Sequence, residues 1–176
     1  MSTITATTAR ERMLNAQIAA RSIGLLSDAA KAAALHAIAD AIVAASDDIV
    51  AANSEDLTRG SESGLSAGLL DRLRLDATRV EALAAAVRDV AALPDPVGRV
   101  LDQRTIAGGV NLTKVSVPFG VIGSIYEARP NVTVDIAALA LRSGNAVVLR
   151  GGTAAERTNA ALVATMRDAL QTQGIT

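Results

Sequence analysis

Residues 121–135 read VIGSIYEARPNVTVD. A short apolar run, VIGSIY, is broken by Glu127, Arg129, Pro130 and Asn131, and a helical pattern starts at once. Gly144 and a second apolar run, NAVVLR at 145–150, come next, then Gly151-Gly152 and another helical pattern. The spacing predicts strand 121–126, helix about 132–142, strand 146–150 and helix about 155–170. Strands that alternate with helices indicate a βαβα segment of a parallel sheet. A continuous apolar strand such as NAVVLR suits a parallel sheet covered on both faces. Right-handed crossovers bring both strands to the same edge. Tyr126–Asn131 and Arg150–Thr153 therefore fall at the C-terminal edge, where open α/β sheets bind their ligands.

Each of the two loops has features of a site. Pro130 fits the start of a helix, where its missing N–H costs nothing. Gly151-Gly152 permits close approach of the backbone to a ligand, just before a helix N-terminus that favours anions. Both stretches also read as plain connections, because Pro and Gly belong in such loops. Arg129 and Arg150 share the edge, and the chain's single tyrosine, Tyr126, ends the first strand. The pattern G-x-G-x-x-G does not follow that strand, so a dinucleotide has to bind in some other way.

Upstream, VGRVLDQRTI and VNLTKVSV flank Ala107-Gly108-Gly109, which reads as a β-hairpin. Val110 and Leu112 fall on one phase and Val115 and Val117 on the other, which predicts a bulge near Lys114. Residues before Pro94 are alanine-rich and helical. Ser27 caps a helix carrying Leu35, Ile38 and Ile42 on one stripe, and Asp76 caps another with Val80, Leu83, Val87 and Val90. A short helical turn is expected over 47–57, followed by a Gly/Ser-rich connection, RGSESGLSAG. His36 is the single histidine; with Asp40 one turn on, it reads as a helix-surface pair rather than a catalytic base. Nothing repeats at a fixed period, which argues against a solenoid. The organisation expected is a helical part (1–96), a hairpin (97–120) and the beginning of a Rossmann-like sheet (121–176).

Composition narrows the function. With 176 residues, 50% hydrophobic and 20% charged, the chain can bury a core. A net charge of −1 lacks the electrostatic footprint of a nucleic-acid binder. Residues 1–94 carry nine basic and twelve acidic groups, whereas 95–176 carry eight and six, so the second half is the place to look for an anionic ligand. No cysteine is present, which leaves no disulfide, thiolate metal site or cysteine nucleophile within these residues. No metal site is expected. MSTITATTARERM lacks the apolar stretch of a secretory signal and no run is long enough to span a bilayer, so a cytoplasmic location is the expectation.

The stretch VPFGVIGSIYEARPNVTVDIAALALRSGNAVVLRGG (117–152) resembles the signature region of the γ-glutamyl phosphate reductases, of the aldehyde dehydrogenase superfamily. ANSEDL (52–57), GLSAGLLDRLRL (64–75) and DPVGRV (95–100) are similar to that family as well, so the likeness spans almost the whole chain. It implies reduction of L-glutamyl 5-phosphate by NADPH to L-glutamate 5-semialdehyde and phosphate, a step of proline biosynthesis. In that chemistry a cysteine thiolate displaces phosphate, and the thioester takes hydride. Asn131 matches the asparagine that holds the oxyanion, and Arg129 would meet the substrate. Ile125, Tyr126 and Glu127 would line the nicotinamide side, with Arg150, Gly151, Gly152 and Thr153 around the adenosine ribose. NAD-using relatives often place a glutamate where Thr153 stands, so Thr153 leaves room for a 2′-phosphate. The hairpin resembles the piece that makes oligomer contacts, which implies a homo-oligomer, and glutamate 5-kinase is a possible further partner. The family's chain continues through more strands to a catalytic domain that bears the cysteine. The expectation is therefore the front part of such an enzyme, inactive alone; the alternative is a non-catalytic dimerisation or regulatory piece.

Overall fold

The computed structural model describes residues 8–175. Five helices come first: α1 (Ala9–Ile23), α2 (Asp28–Ala44), α3 (Ser46–Glu62), α4 (Ala67–Leu73) and α5 (Ala77–Ala92). A hairpin of β1 (Val100–Thr105) and β2 (Asn111–Val115) follows. The chain then runs through β3 (Val121–Ile125), α6 (Pro130–Arg142), β4 (Ala146–Arg150), one 3-10 turn at Thr153–Ala155 and α7 (Glu156–Thr172). The strands β3 and β4 pair in parallel with Val121 opposite Ala146 and Ile125 opposite Arg150. The alternating βαβα reading of the sequence is the architecture found.

Caps set the helix boundaries that the sequence marks. The Thr8 hydroxyl accepts from the Glu11 N–H while the Glu11 carboxylate accepts from the Thr8 N–H, a reciprocal cap on α1. Ser27 Oγ accepts from the Ala30 N–H, and Asp76 Oδ1 from the Arg79 N–H, as their positions before α2 and α5 predict. The stripes then meet: Leu35, Ile38 and Ile42 of α2 join Val80, Leu83 and Val87 of α5 in one core. Val134 of α6 and Leu162 and Met166 of α7 belong to the same cluster, so the helical part and the βαβα unit share a single interior.

Two polar anchors lie in that interior. Lys31, 1% exposed, pairs with Asp95 at 2.6 Å. Burial pushes the Asp95 carboxyl up, but the Lys31 ammonium, the Val97 N–H and the Arg142 charge together hold it below its ordinary value. Arg142, at the end of α6, donates from Nε to the Leu93 carbonyl at 3.0 Å and pairs with Asp28 at 2.6 Å. These bonds tie α6 to the end of α5 and the start of α2.

Three expectations need correction. The turn predicted over 47–57 is a 17-residue helix that takes in Arg59-Gly60-Ser61-Glu62. Gly60 sits in close packing: a Cβ would come within 2.9 Å of Leu65 Cδ1 and 3.2 Å of Leu70 Cδ2, so these leucines would have to shift to make room for one. The hairpin bulge does fall beside Lys114, where Val100 pairs with Val115 and Asp102 with Lys114, but the extra residue is Leu101 of β1 and not one of β2. Every residue of both arms is exposed, so no buried face forces the two apolar phases of β2 together. The strand NAVVLR is covered less than predicted, with Val147, Val148 and Leu149 only half-buried. No helix among the described residues is long and apolar enough to cross a membrane.

Candidate functional site

The Tyr126 N–H donates to the Arg150 carbonyl at 3.1 Å, continuing the β3–β4 ladder by one step. Tyr126–Asn131 and Gly151–Thr153 therefore leave the same sheet edge, as the parallel reading requires. Beyond that point the candidate residues divide into two groups.

The first group stays at the edge. Ile125 is 87% exposed, and Glu127 and Arg150 are exposed beside it. The Tyr126 phenol turns inward and meets Thr133 Oγ1 at 2.6 Å; Thr133 Oγ1 in turn lies 2.7 Å from Asn159 Oδ1. This chain locks β3 to α6 and α7. A Cβ on Gly151 would strike the Asn159 amide and the Tyr126 ring, and one on Gly152 would come within 2.9 Å of the Ala128 nitrogen. Close packing of the two loops against each other thus accounts for both glycines.

The helix N-terminus after Gly151-Gly152 is also filled from within. Asp56, on α3, is fully buried and accepts from the Thr158 N–H at 2.9 Å, the Thr158 hydroxyl at 2.7 Å and the Arg157 N–H at 3.3 Å. A carboxylate from α3 thus sits where an anion would bind at the start of α7. Arg59 bridges Asp56, at 2.7 Å, and the Thr153 carbonyl, at 3.0 Å, and so fixes the loop that follows Gly152. Asn53 donates to the Leu73 carbonyl and accepts from the Leu75 N–H, at 2.9 and 2.7 Å. Sequence reasoning missed this cluster. The signal was present: Ile49, Asn53, Asp56 and Gly60 recur at helical spacing, which places two polar residues on the buried stripe of α3.

The second group lies at the start of α6. Arg129 occupies the N-cap position and Pro130 the first turn, two residues earlier than expected. Asn131 is therefore inside the helix rather than capping it. Its side-chain amide donates to Asp135 Oδ2 at 3.3 Å, which leaves its second N–H free. Asp135 is half-buried, and burial raises its carboxyl above the ordinary value, partly offset by the Asn131 bond. Arg129, Pro130, Asn131 and Asp135 form one side of an open groove of about 490 Å3. Residues of α4, α5 and their connection, including Arg72, Arg74 and Arg79, form the other. Arg129 and Arg150 share the sheet edge, but only Arg129 lines the groove. His36 is exposed, and Asp40 pairs with Arg88 at 2.7 Å instead of with it. Among the described residues no cluster of His, Cys, Asp and Glu is arranged to hold a metal.

This combination of helices, hairpin and parallel pair is an aldehyde dehydrogenase-like fold: a probable aldehyde dehydrogenase from Listeria monocytogenes matches 94% of the chain with a TM-score of 0.70 at 15% identity, covering 34% of that protein. Sequence likeness is more specific. A γ-glutamyl phosphate reductase of Kineococcus radiotolerans is 58% identical over 173 residues, 96% of this chain and 40% of the relative. One of Clavibacter michiganensis is 59% identical over 166 residues, 94% of this chain and 38% of the relative. The crystal structure of γ-glutamyl phosphate reductase from Thermotoga maritima superposes on 94% of the chain with a TM-score of 0.91 and 37% identity, covering 40% of that protein. The chain is homologous to γ-glutamyl phosphate reductases and corresponds to their N-terminal part. It spans about two-fifths of the length of these relatives. No protein-family profile matches the sequence.

Proposed function

We infer that this chain forms the cofactor-binding and oxyanion-holding part of an oxidoreductase that reduces L-glutamyl 5-phosphate with NADPH to L-glutamate 5-semialdehyde. The observation that carries the reading is Asn131: it stands in the first turn of α6, on a groove, with one amide N–H uncommitted. Helix and Pro130 hold the donor rigidly, and a neutral preorganised donor stabilises negative charge developing on an acyl oxygen. Arg129, exposed at the neighbouring position, would meet the phosphate of the substrate.

The sheet edge fits a nicotinamide dinucleotide. It offers exposed apolar surface at Ile125 and a guanidinium at Arg150, and Thr153 places no carboxylate against a 2′-phosphate. Asp56 already fills the start of α7, so the diphosphate would lie elsewhere along the edge. Ile125, Tyr126 and Glu127 would flank the nicotinamide, and Arg150, Gly151, Gly152 and Thr153 the adenosine ribose. When bound, the cofactor supplies hydride. The thiolate that attacks the acyl phosphate has to come from residues other than these 176, which contain no cysteine. Full-length enzyme carrying this segment should catalyse NADPH-dependent reduction while the 176 residues alone should not. Turnover by the isolated chain would refute the division of labour.

A self-association role rests on a separate observation. Val100, Leu101, Val110, Leu112 and Val115 of the hairpin and its flank are all at least 42% exposed, and Val117 is 73% exposed. Apolar strands left open in this way pair with other chains. A homo-oligomer whose mass survives Val110→Asp and Leu112→Asp together would contradict a hairpin-mediated contact.

A further inference from the structure

The groove beside Asn131 holds one internal ion pair and further charged side chains that do not neutralise one another. Arg79 is committed: it donates to the Asp71 carboxylate at 2.9 Å and to the carbonyls of Asp71 and Arg74 at 2.7 and 3.0 Å. Arg72 and Arg74, exposed on the same side, have no side-chain partner among the described residues. On the facing side Asp135 has Asn131 as its only hydrogen-bond partner among the described residues, and none of their guanidinium groups pairs with it. Burial without a cation is costly for a carboxylate, which is why its carboxyl is raised. With Asp71 taken up by Arg79, Arg72, Arg74 and Asp135 thus line one cavity without a salt bridge of their own among the described residues. The cavity is suited to a ligand that carries both complementary charges.

We propose that this groove selects the α-amino-acid head of the substrate, with Asp135 receiving its ammonium group and Arg72 and Arg74 its carboxylate. The assignment rests on the reading of Asn131 as oxyanion donor, which sets the reacting carbonyl at the α6 end of the groove. Asp135 is one helical turn from Asn131, so a ligand held at Asn131 has its remaining length beside Asp135. The carboxylate and the arginines lie on different sides of the groove, so each charged substituent of one α-carbon can face its own partner. Arg129 remains at the reacting end for phosphate.

Stable ligands test this in full-length enzyme, as competitive inhibitors of glutamate 5-semialdehyde oxidation in the presence of phosphate and NADP+. L-glutamate carries both head groups; glutarate lacks the ammonium and 4-aminobutanoate lacks the α-carboxylate. Wild-type enzyme should bind L-glutamate about tenfold to a hundredfold more tightly than either, the span of one charge-assisted contact. Asp135→Asn can still accept from Asn131, so it should erase only the advantage over glutarate. Arg72→Gln with Arg74→Gln should erase only the advantage over 4-aminobutanoate, and these exposed side chains are not needed for folding. If Asp135→Asn misfolds, the arginine pair decides alone. Equal inhibition by all three ligands in wild type, or an unchanged preference in the variants, would overturn the assignment while leaving the reductase reading intact. Absence of any wild-type turnover would instead refute that reading, and the assignment with it.

Discussion

Replacing Asp56 by alanine should loosen the start of α7 without touching the core packing. Asp56 supplies the acceptors for the Thr158 N–H, the Thr158 hydroxyl and the Arg157 N–H, and it is fully buried. A lost helix cap costs about 1 kcal/mol. A buried N–H left without an acceptor adds about 1–3 kcal/mol. Arg59 is 44% exposed, so its loss of a partner is largely made good by water. The expected destabilisation is about 2–4 kcal/mol, confined to the segment around Thr153–Thr158. Native-state hydrogen exchange reads it directly: the Arg157 and Thr158 amides should exchange about 30-fold to 10³-fold faster. Asp56→Asn, which keeps one acceptor oxygen, should show a smaller acceleration. Unchanged exchange at Thr158 in the alanine variant would show that α7 is held by packing alone.

Other consequences follow from Arg150 and from the Lys31–Asp95 pair. Arg150→Ala in full-length enzyme should raise the Michaelis constant for NADPH much more than that for NADH; equal effects would place Arg150 on the common part of the dinucleotide. The carboxyl of Asp95 is held below its ordinary 3.8, so its stabilisation is present above that value and lost as pH falls through the lower, folded-state value. Lys31→Met should therefore be most damaging near neutral pH, with the gap to wild type narrowing in urea titrations below about pH 3.8; a gap independent of pH would mean that the ion pair contributes little.

Local signals in the sequence were enough for much of the fold. Ser27 and Asp76 announce α2 and α5 because capping is decided within three residues. The parallel pair was legible because two apolar runs bracket a helix of ordinary length. What escaped depends on distant partners. Gly60 and the serines around it read as a loop, since nothing nearby shows that Leu65 and Leu70 will fold back on that glycine. Asp56 meets Thr158 across 102 residues, so its capping of α7 has no local trace. The helix starts at Pro130 rather than near Val132, which puts Asn131 in its first turn. The groove itself joins the α4–α5 region to α6, a juxtaposition that only the three-dimensional structure supplies.

Turnover of Asn131 variants in full-length enzyme tests the account most directly. Removing one oxyanion donor costs on the order of 10²–10³ in turnover. Asn131→Ala should lower kcat by that factor and leave NADPH affinity near wild type, the signature of an interaction made in the transition state. Asn131→Asp should be at least as impaired, because a carboxylate there repels the developing charge and Asp135 as well. An aspartate variant with wild-type kcat would show that Asn131 does not hold the oxyanion, and the proposed site would fall with it.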